Sequence, residues 1–358
     1  MPPLIDLYGW SDSLRDEFAP QAALGYAPGR VIVQHRGLYV VVTDDGELRA
    51  RLSGRLAVEA PEGGYPAVGD WVALAVRPEE GAATLHAVMP RRTAFVRKAV
   101  DTVQGVQVLA ANIDVVFVVA SMNADLKGRR LERYLAAAFE SGARPVVVLT
   151  KADLAGEPEV ALAVALGVSA GAPVVAVSAM TGAGMEDLKA NLKPGETCVL
   201  VGSSGVGKST LVNVLAGEDR MSTGAIRQDD ARGRHTTSHR ELVLLPGGAL
   251  ILDTPGLREL ALLDEGEGVS AAFDDVEALV GACRFGDCGH TNEPGCAVRA
   301  ALEVGELDPA RWRNFQKLRR ELSHLERRED RAARDAERKR WITLSKAQRA
   351  TRKIKRRE

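Results

Sequence analysis

The segment "GSSGVGKST" at Gly202–Thr210 constrains the fold of this chain more than any other stretch. It fits the pattern G-x-x-x-x-G-K-[ST], follows the apolar run "TCVLV" and opens the run "STLVNVLAG". In such a strand–loop–helix context, glycines let the backbone curl so that its N–H groups face phosphates at a helix N-terminus. We therefore expect a phosphate-binding loop at the carboxyl end of a buried strand, in a chain of the α/β class.

This loop is predicted to supply much of a nucleotide site. Lys208 would reach the terminal phosphates and is a candidate catalytic group, and the hydroxyl of Ser209 can bind Mg²⁺. A glycine-rich turn without a ligand is the alternative. The predicted nucleotide-binding residues of the loop are Gly202, Ser203, Ser204, Gly205, Val206, Gly207, Lys208, Ser209 and Thr210.

Apolar runs alternate with amphipathic segments from Ala111 to about Leu263. Runs rich in Val, Leu and Ile that are separated by helices describe a parallel sheet covered on both faces, which binds ligands at the carboxyl ends of its strands. The predicted strands are "DVVFVVAS", "PVVVLTKAD", "PVVAVSAM", "TCVLVGSSG", "HRELVLLP" and "GALILDTPG". The predicted helices lie near "RRLERYLAAAFESG", "EVALAVALG", "MEDLKANL" and "GKSTLVNVLAG".

Two later segments would complete a magnesium and γ-phosphate site. "LDTPG" ends a predicted strand, so Asp253 can hold Mg²⁺ through water and the N–H of Gly256 can meet the γ-phosphate. "GRHTTS" is a polar loop whose Thr236 and Thr237 can close over Mg²⁺ when the γ-phosphate is present. The predicted Mg²⁺ residues are Ser209, Thr236, Thr237 and Asp253.

The segment "VLTKAD" raises a question of order, because T-K-x-D is close to the guanine-reading N-K-x-D of GTPases yet precedes the phosphate loop. Either one motif is accidental, or the chain of a GTPase has been cut and rejoined. A pocket built from strand ends does not depend on chain order, and both "TKAD" and "SAMTG" end predicted strands. We therefore expect Asp153 to accept from guanine N–H groups and Lys151 to lie along the base. The loop of Ser178 and Ala179 would offer its backbone to the guanine oxygen.

A different pattern precedes this region. From Gly29 to about Met89, five short strand-like runs are separated by Gly, Asp-Gly and Pro: "RVIVQHRG", "LYVVVTDDG", "ELRARLSG", "DWVALAV" and "ATLHAVM". Five short strands fit a small closed barrel. An OB-fold is the favoured interpretation, although an SH3-like barrel would give nearly the same pattern.

The charge of the chain is concentrated at its end. Residues 311–358 carry 19 Lys and Arg against 7 Asp and Glu, a net charge of +12 that leaves −13 for residues 1–310. RNA is the first candidate partner for such a segment, an anionic membrane the second, and a solvated helix the third. No secretory signal and no run of 18 apolar residues is found, so we expect a cytoplasmic protein.

Three of the four cysteines cluster with a histidine in "CRFGDCGHTNEPGC". Cys283, Cys288, His290 and Cys296 are four ligands within 14 residues, which suits one tetrahedral structural Zn²⁺ better than a disulfide framework. Unrelated buried cysteines are the alternative. Cys198 lies inside an apolar strand and is interpreted as a core residue.

The rotated motif order, together with "GSSGVGKST", "RHTT", "DTPG" and the metal cluster, resembles the circularly permuted, small-ribosomal-subunit-dependent GTPase family RsgA, also called YjeQ. The likeness extends from the barrel segments "GRVIVQHRGLY", "AVGDWVAL" and "PRRTAFVRKA" to the cysteine cluster. It implies a GTPase with a zinc site that acts late in maturation of the small (30S) subunit.

Two residues depart from the usual GTPase pattern. Thr150 stands where the guanine motif usually has Asn, which removes a side chain that braces the loop and contacts the purine, so base selectivity can be softer. An ATPase in which "TKAD" is a surface turn is the alternative. Leu257 replaces the glutamine that positions water in Ras-like enzymes, so hydrolysis needs another group. His235 is the nearest candidate and the one to which the resemblance points, although a structural or RNA-facing histidine fits equally.

The sequence thus predicts a multidomain α/β protein. Residues 1–29 form an N-terminal extension, 30–98 an OB-fold β-barrel, 99–263 a circularly permuted GTPase domain, and 264–358 a helical zinc-binding domain with a basic tail. The predicted function is GTP hydrolysis to GDP with Mg²⁺, stimulated by the 30S subunit and its 16S rRNA, by a monomeric protein. An RNA-binding assembly factor that uses GTP only as a conformational ligand is the first alternative. A membrane-associated GTPase is the second, and the tail lacks the apolar helical face and lipidation motif it would need.

Overall fold

The computed structural model describes residues 3–35, 37–61, 63–98, 106–122, 126–217, 240–253, 267–324 and 327. Of these, the residues up to 253 and 267–274 form one compact unit, and those from 275 onward form a second. The division into four segments expected from the sequence stays a prediction.

Five strands near the N-terminus form a closed barrel. They are β1 (Ala27–His35), β2 (Leu38–Thr43), β3 (Gly46–Leu52), β4 (Trp71–Arg77) and β5 (Ala82–Val88), and α3 (Gly54–Glu59) lies between β3 and β4. The order is β1-β2-β3-β5-β4, and β4 returns to pair with β1. All these pairs are antiparallel except β3 with β5, which are parallel. This is the five-stranded OB arrangement, so the favoured interpretation is confirmed.

Two helices that the sequence analysis did not predict pack against the outside of the barrel. They are α1 (Leu4–Leu7) and α2 (Asp12–Ala23), and the side chain of Ser11 caps α2 by accepting from the N–H of Leu14. Ile5, Trp10, Leu14 and Phe18 are buried in one cluster with Trp71 of β4, whereas Val72 and Leu74 of the same strand belong to the cluster inside the barrel. The N-terminal extension therefore forms a second hydrophobic cluster on the outer face of β4.

A mostly parallel sheet follows the barrel. Its strands are β8 (Val115–Ser121), β9 (Arg144–Thr150), β10 (Val174–Ala176), β11 (Thr197–Val201), β12 (Arg240–Leu244) and β13 (Leu250–Asp253), in the order β10-β9-β8-β11-β13-β12. The connecting helices are α4 (Gly128–Glu140), α5 (Pro158–Val168), α6 (Met185–Ala190) and α7 (Lys208–Ala216). A separate hairpin of β6 (Ala94–Lys98) and β7 (Val106–Ala111) precedes β8.

The strands of this sheet are buried because their side chains are apolar on both faces. Val115, Phe117, Val146, Cys198 and Ile251 are each at most 1% exposed and belong to one cluster with residues of α6 and α7. Strand β12 is antiparallel to β13 and also to β1, so the barrel and the parallel sheet share one continuous set of hydrogen-bonded strands.

Arg30 fixes this junction from inside. Its Nε donates to the carbonyl of Gly69, and its Nη2 donates to the carbonyl of Asn112 and to Thr197 Oγ1. Its Nη1 donates to the carbonyl of Tyr8. Burial lowers the pKa of Arg30 to about 10, which leaves the guanidinium charged at neutral pH. One cation thus joins α1, the barrel and the first residues of the parallel sheet.

The second unit consists of helices joined by loops, including the loop of the cysteine cluster. It contains most of α9 (Asp274–Gly281), then α10 (Ala297–Val304) and helical residues 309–324, whereas α8 (Glu267–Ala272) belongs to the first unit. Arg311 is 8% exposed and donates through Nε and Nη2 to the carboxylate of Asp275. This two-point pair holds residues 309–324 against α9.

We predict that Arg30→Met lowers the free energy of unfolding of the first unit by about 3 to 5 kcal/mol, because it removes a buried charge and leaves its carbonyl acceptors with fewer donors. Urea unfolding followed by tryptophan fluorescence measures the change. Arg77→Met is the matched control, since Arg77 forms an exposed pair with Glu80 and its loss should cost at most about 1 kcal/mol. Equal effects of the two substitutions would contradict the role given to Arg30.

Candidate functional site

The predicted nucleotide residues that the structure describes lie along one edge of the parallel sheet. β10, β9, β8, β11 and β13 are neighbours in that order, and all are parallel, so their carboxyl ends meet at one edge. "SAMTG" follows β10, "TKAD" follows β9, the phosphate loop follows β11, and Asp253 ends β13. The rotated motif order is therefore compatible with a single pocket.

The phosphate loop has the backbone that the sequence predicts. Gly202, Gly205 and Gly207 have φ of 147°, 78° and 100°, and α7 begins at Lys208 directly after them. A Cβ on Gly202 would lie 2.2 Å from the carbonyl oxygen of Val119, so only glycine fits between β11 and β8. The N–H groups at the start of α7 are therefore available to an anion.

The ammonium group of Lys208 lies over the loop. It donates to the carbonyls of Gly202 at 2.7 Å and Ser203 at 2.6 Å. Both contacts are with the backbone of the loop itself, which holds the positive charge where phosphates bind in proteins with this motif. Ser209 and Thr210 follow in the first turn of α7 and are partly exposed.

Thr150 joins the base-reading segment to the phosphate loop. Its hydroxyl oxygen is 2.5 Å from the carbonyl oxygen of Val206 and 3.1 Å from that of Ala120, and the residue is 4% exposed. A hydroxyl has one proton, so the shorter contact identifies Val206 as the main acceptor. The sequence analysis expected Thr150 to remove a brace, but the hydroxyl itself braces the loop.

Lys151 adds a second connection. Its φ of 57° places it in the left-handed region, and its Nζ donates to the carbonyl of Gly205 at 3.0 Å. The next residue, Ala152, donates its N–H to the carbonyl of Val177, which joins "TKAD" to the start of "SAMTG". The loop after β9 is thereby hydrogen-bonded to the phosphate loop and also to Val177, which precedes "SAMTG".

The residues expected to contact a base lie around this connection. Asp153 is exposed in a short 3-10 turn, so its carboxylate is accessible to a ligand. Ser178 is 1% exposed, and its Oγ accepts from the N–H of Thr181, which closes the tight turn that presents Ala179. The hydroxyl of Ser178 thus shapes the loop, and its backbone N–H and carbonyl also bond within the turn, to Ala183 and Gly182.

The γ-phosphate side is described only in part. Asp253 ends β13, and its backbone pairs with Glu241 of β12. The remaining predicted residues, His235, Thr236, Thr237, Gly256 and Leu257, lie outside the described residues. Their roles stay predictions.

A cavity of about 180 Å³ opens between the phosphate loop and the start of α4. Ser203, Gly205 and Lys151 line it together with Lys127 and Arg130. The sequence analysis assigned no role to these two basic residues, because they precede or begin a helix that was recognised only by its apolar face. The structure places their charges beside the phosphate loop.

The four predicted metal ligands come together in the second unit. The ligand atoms of Cys283, Cys288, His290 and Cys296 all lie within 4.8 Å of one another. Cys283 Sγ is 3.9 Å from Cys296 Sγ, and His290 Nδ1 is 3.6 Å and 3.5 Å from these two sulfurs. Ligands about 2.3 Å from a tetrahedral Zn²⁺ lie about 3.8 Å apart. The donor set and its spacing therefore fit Zn²⁺.

Backbone groups of the loop support this cluster. Cys296 is the N-cap of α10, and its sulfur accepts from the N–H of Arg299 at 3.4 Å. The Glu293 carboxylate accepts N–H groups of Gly289, Thr291 and Asn292. Hydrogen bonds from backbone N–H groups, its own first, lower the pKa of Glu293 to about 2. The sequence analysis did not identify this carboxylate, which organises the loop.

The aromatic residues near the cluster are packed. The ring of Trp312 meets that of His290 edge-on at 5.3 Å, and Phe315 is 1% exposed. Phe315 is therefore a packed interior side chain of the second unit. Cys198 is fully buried in β11, and burial raises the pKa of its thiol, as expected of a core residue.

No helix in the described part of the chain is both long enough and apolar enough to span a bilayer.

A curated protein from Opitutus terrae, "Small ribosomal subunit biogenesis GTPase RsgA", is 48% identical to this chain over 357 residues, which cover 97% of each protein. Among solved structures, YjeQ from Thermotoga maritima has a TM-score of 0.63 and 27% identity, and the match covers 83% of this chain and 98% of that one. YloQ, titled a circularly permuted GTPase, has a TM-score of 0.61 at 22% identity and covers 84% of this chain and 96% of its own, so it shows the same fold.

Two family models match parts of the sequence. The one described as RsgA GTPase matches residues 88–263, and the one described as ABC transporter matches residues 185–356. Both ranges contain the phosphate loop, a feature that ATPases and GTPases with this motif share, so the second match reflects that loop. The first range also contains "TKAD" and "DTPG" in rotated order. With the near-complete likeness to the Opitutus terrae protein, this places the chain in the RsgA family of circularly permuted GTPases.

Proposed function

We propose that this protein hydrolyses GTP to GDP and phosphate and that it acts in biogenesis of the small ribosomal subunit. The observation that carries the proposal is the pair of contacts from Thr150 to Val206 and from Lys151 to Gly205. They tie a base-reading segment to a phosphate loop that follows it by fifty residues. Membership of the RsgA family supports the same activity.

One half of the site would bind the phosphates of the nucleotide, and the other half would bind its base. Residues Gly202 to Thr210 would hold the phosphates with backbone N–H groups and Lys208. Asp153 would accept from the guanine N–H groups, which are missing from adenine at these positions, and the Ala179 backbone would donate to the guanine oxygen. Thr150 would position the loop by its hydrogen bond rather than by contact with the base.

Hydrolysis moves a water oxygen onto the γ-phosphorus while the bond to the β–γ bridging oxygen breaks. Lys208 would offset the charge that gathers on the phosphate oxygens. Ser209, Thr236, Thr237 and Asp253 would hold Mg²⁺, which neutralises phosphate charge when bound. Leu257 has no group that can orient water, so we propose that His235 or a partner does so.

The proposed partner is the small subunit, through its 16S rRNA. Strand β3 carries Arg49 and Arg51 two residues apart, both exposed, on the outer face of an OB barrel, where this fold commonly binds nucleic acid. Residues 311–358 add a net charge of +12. We propose that the protein works in the cytoplasm as a monomer between encounters with the subunit.

An RNA-binding factor that uses GTP only as a conformational ligand is the second candidate. Leu257 is compatible with both candidates, because an apolar side chain replaces the usual water-positioning group. The two candidates differ in whether the subunit raises the rate of phosphate release.

We propose one structural Zn²⁺ at Cys283, Cys288, His290 and Cys296. All four ligands come from protein, so no position would be left for a reacting group. The metal would stabilise the second unit by linking the end of α9, the intervening loop and the N-terminus of α10.

Phosphate release from GTP is expected to be slow for the protein alone and to rise at least about a hundredfold with purified small subunits, because a partner completes the water-positioning site. ATP is the matched substrate and should be turned over much more slowly in both conditions. Unchanged GTP turnover with the subunit would favour the second candidate. Equal use of ATP would remove the role given to Asp153.

Thr150→Val is expected to weaken GDP binding roughly five- to twentyfold, because valine keeps the shape but cannot donate to Val206. Titration with a fluorescent GDP analogue measures the affinity. Thr150→Ser keeps the hydroxyl and serves as the control, with an affinity within about threefold of the unchanged protein. Tight GDP binding by the valine variant would show that the brace is not needed.

Removal of Zn²⁺ with a strong chelator is expected to unfold the loop of residues 283–296 and lower the melting temperature of the second unit while GDP binding persists. Cys288→Ser should reduce bound zinc, measured by elemental analysis, from about one per chain to well below half. Cys198→Ser is the matched control and should leave the zinc content unchanged. A full zinc content in Cys288→Ser would exclude this ligand set.

A further inference from the structure

Helix α5 presents an apolar surface that its own chain does not cover. Val160, Leu162, Val164 and Leu166 are 56%, 37%, 36% and 56% exposed, and only Ala161 and Ala165 of the helix are buried. We call the first four residues the α5 face. Isolated exposed apolar residues are common, but four within seven residues of one helix are typical of an interaction surface.

The shape of the α5 face suits close packing. On a helix, Ala163 and Gly167 lie one turn apart on the outward side, between the pair Val160 and Val164 and the pair Leu162 and Leu166. Open space surrounds the position that a Gly167 side chain would take. A partner segment can therefore approach the helix backbone and contact larger side chains on both sides.

The surrounding charge decides what class of partner fits. Residues 152–188 contain five acidic residues and no Lys or Arg. Glu157 and Glu159, both exposed, flank the start of α5. Gly128, between Lys127 and Arg129, lies beside Val168 and Val164 of α5, since a Cβ added there would be 3.3 Å and 3.9 Å from their side chains. Basic residues therefore adjoin the later part of the helix, and the acidic side chains of Glu157 and Glu159 lie at its start. An apolar centre beside acidic residues repels RNA and attracts a protein segment that carries Lys or Arg.

Two further exposed apolar residues lie in the loops proposed to read guanine. Leu154, 60% exposed, follows Asp153 directly, and Met180, 82% exposed, follows Ala179. Leu154 precedes the first residue of α5, Pro158, by only four positions, so the start of the α5 helix is close in the chain to one of these loops.

We propose that the α5 face docks a basic protein segment, an apolar helix or strand flanked by Lys or Arg, within the small-subunit particle. The inference rests on the proposed function for the identity of the particle, and it assigns a protein contact to a surface opposite in charge to the arginines of β3. RNA contacts would be made elsewhere on the chain.

The test is co-sedimentation of the full chain with purified small subunits in the presence of a non-hydrolysable GTP analogue. Val160→Asn with Leu166→Asn keeps the charge and should weaken binding roughly five- to tenfold. Leu24→Asn with Val304→Asn is the matched control, since these residues are 70% and 76% exposed outside the α5 face. Binding of GDP by both double variants verifies that the nucleotide site is intact.

A second pair of substitutions separates protein from RNA. Glu157→Lys with Glu159→Lys should weaken binding if a basic protein segment docks here, and should strengthen it if rRNA does. A photo-crosslinking residue at Ala163 should then join the chain to a subunit protein.

Stronger binding by the lysine variant, a crosslink to rRNA, or equal binding by the asparagine variant and its control would each overturn the inference. A concentration-dependent dimer that the asparagine variant abolishes would assign the face to a second copy and overturn it as well. If the unchanged protein does not bind the subunit at all, the proposed function fails, and this inference fails with it.

Discussion

The buried guanidinium of Arg30 is the contact on which the arrangement of the first unit depends. Its acceptors belong to four parts of the chain: the turn after α1, the loop before β4, the residue after β7, and the first residue of β11. Carboxylates of Asp114 and Asp70 lie near enough to favour its charge, although burial outweighs them and lowers its pKa. The indole of Trp71 lies 5.1 Å from the guanidinium carbon and covers it. A charge in this position requires all of these partners at once, so the barrel cannot shift without breaking several hydrogen bonds.

The same contact has consequences for the nucleotide site. Thr197, which accepts from Arg30, begins β11, and the phosphate loop begins directly after Val201 at the other end of that strand. Five residues of extended chain span roughly 16 Å. The barrel is therefore anchored at one end of the strand whose other end carries the phosphate loop. Strand β11 lies buried between β8 and β13, so it has little freedom to bend. It therefore fixes the position of the phosphate loop relative to Thr197.

Much of this architecture could be predicted because local sequence patterns indicate it. The apolar runs of β8, β9 and β11, the glycines of the phosphate loop and the spacing of the zinc ligands each carry their meaning within a few residues. Contacts between distant residues were not accessible in this way. Parallel pairing of β3 with β5, which distinguishes the barrel type, joins Arg49 to Ala82 across an intervening helix and strand.

Single residues show the same limit. Arg91 belongs to the basic segment "PRRTAFVRKA" that follows the barrel strands. Its guanidinium nevertheless pairs with buried Asp70 through two contacts of 2.7 Å. In the sequence, Thr150 appears only as the loss of the usual asparagine side chain. The fold shows that its hydroxyl donates to the carbonyl of Val206. On the γ-phosphate side, the roles of His235 and Leu257 stay predictions, because both lie outside the described residues. A hydrogen bond between distant residues depends on the final packing, which no local pattern encodes.

Strand β12 is hydrogen-bonded both to β1 of the barrel and to β13, which ends at Asp253. Glu241 pairs with Val33 of the barrel on one side and with Asp253 on the other, so three neighbouring strands place these residues roughly 10 Å apart in total. Arg240, which pairs with Gln34, directly follows the segment that contains His235, Thr236 and Thr237. The first residue of β12 is thus held against the barrel through Gln34. The next residue, Glu241, lies between Val33 of the barrel and Asp253 at the carboxyl end of β13. The barrel and the strand that carries a predicted Mg²⁺ residue are therefore connected by the backbone hydrogen bonds of one sheet.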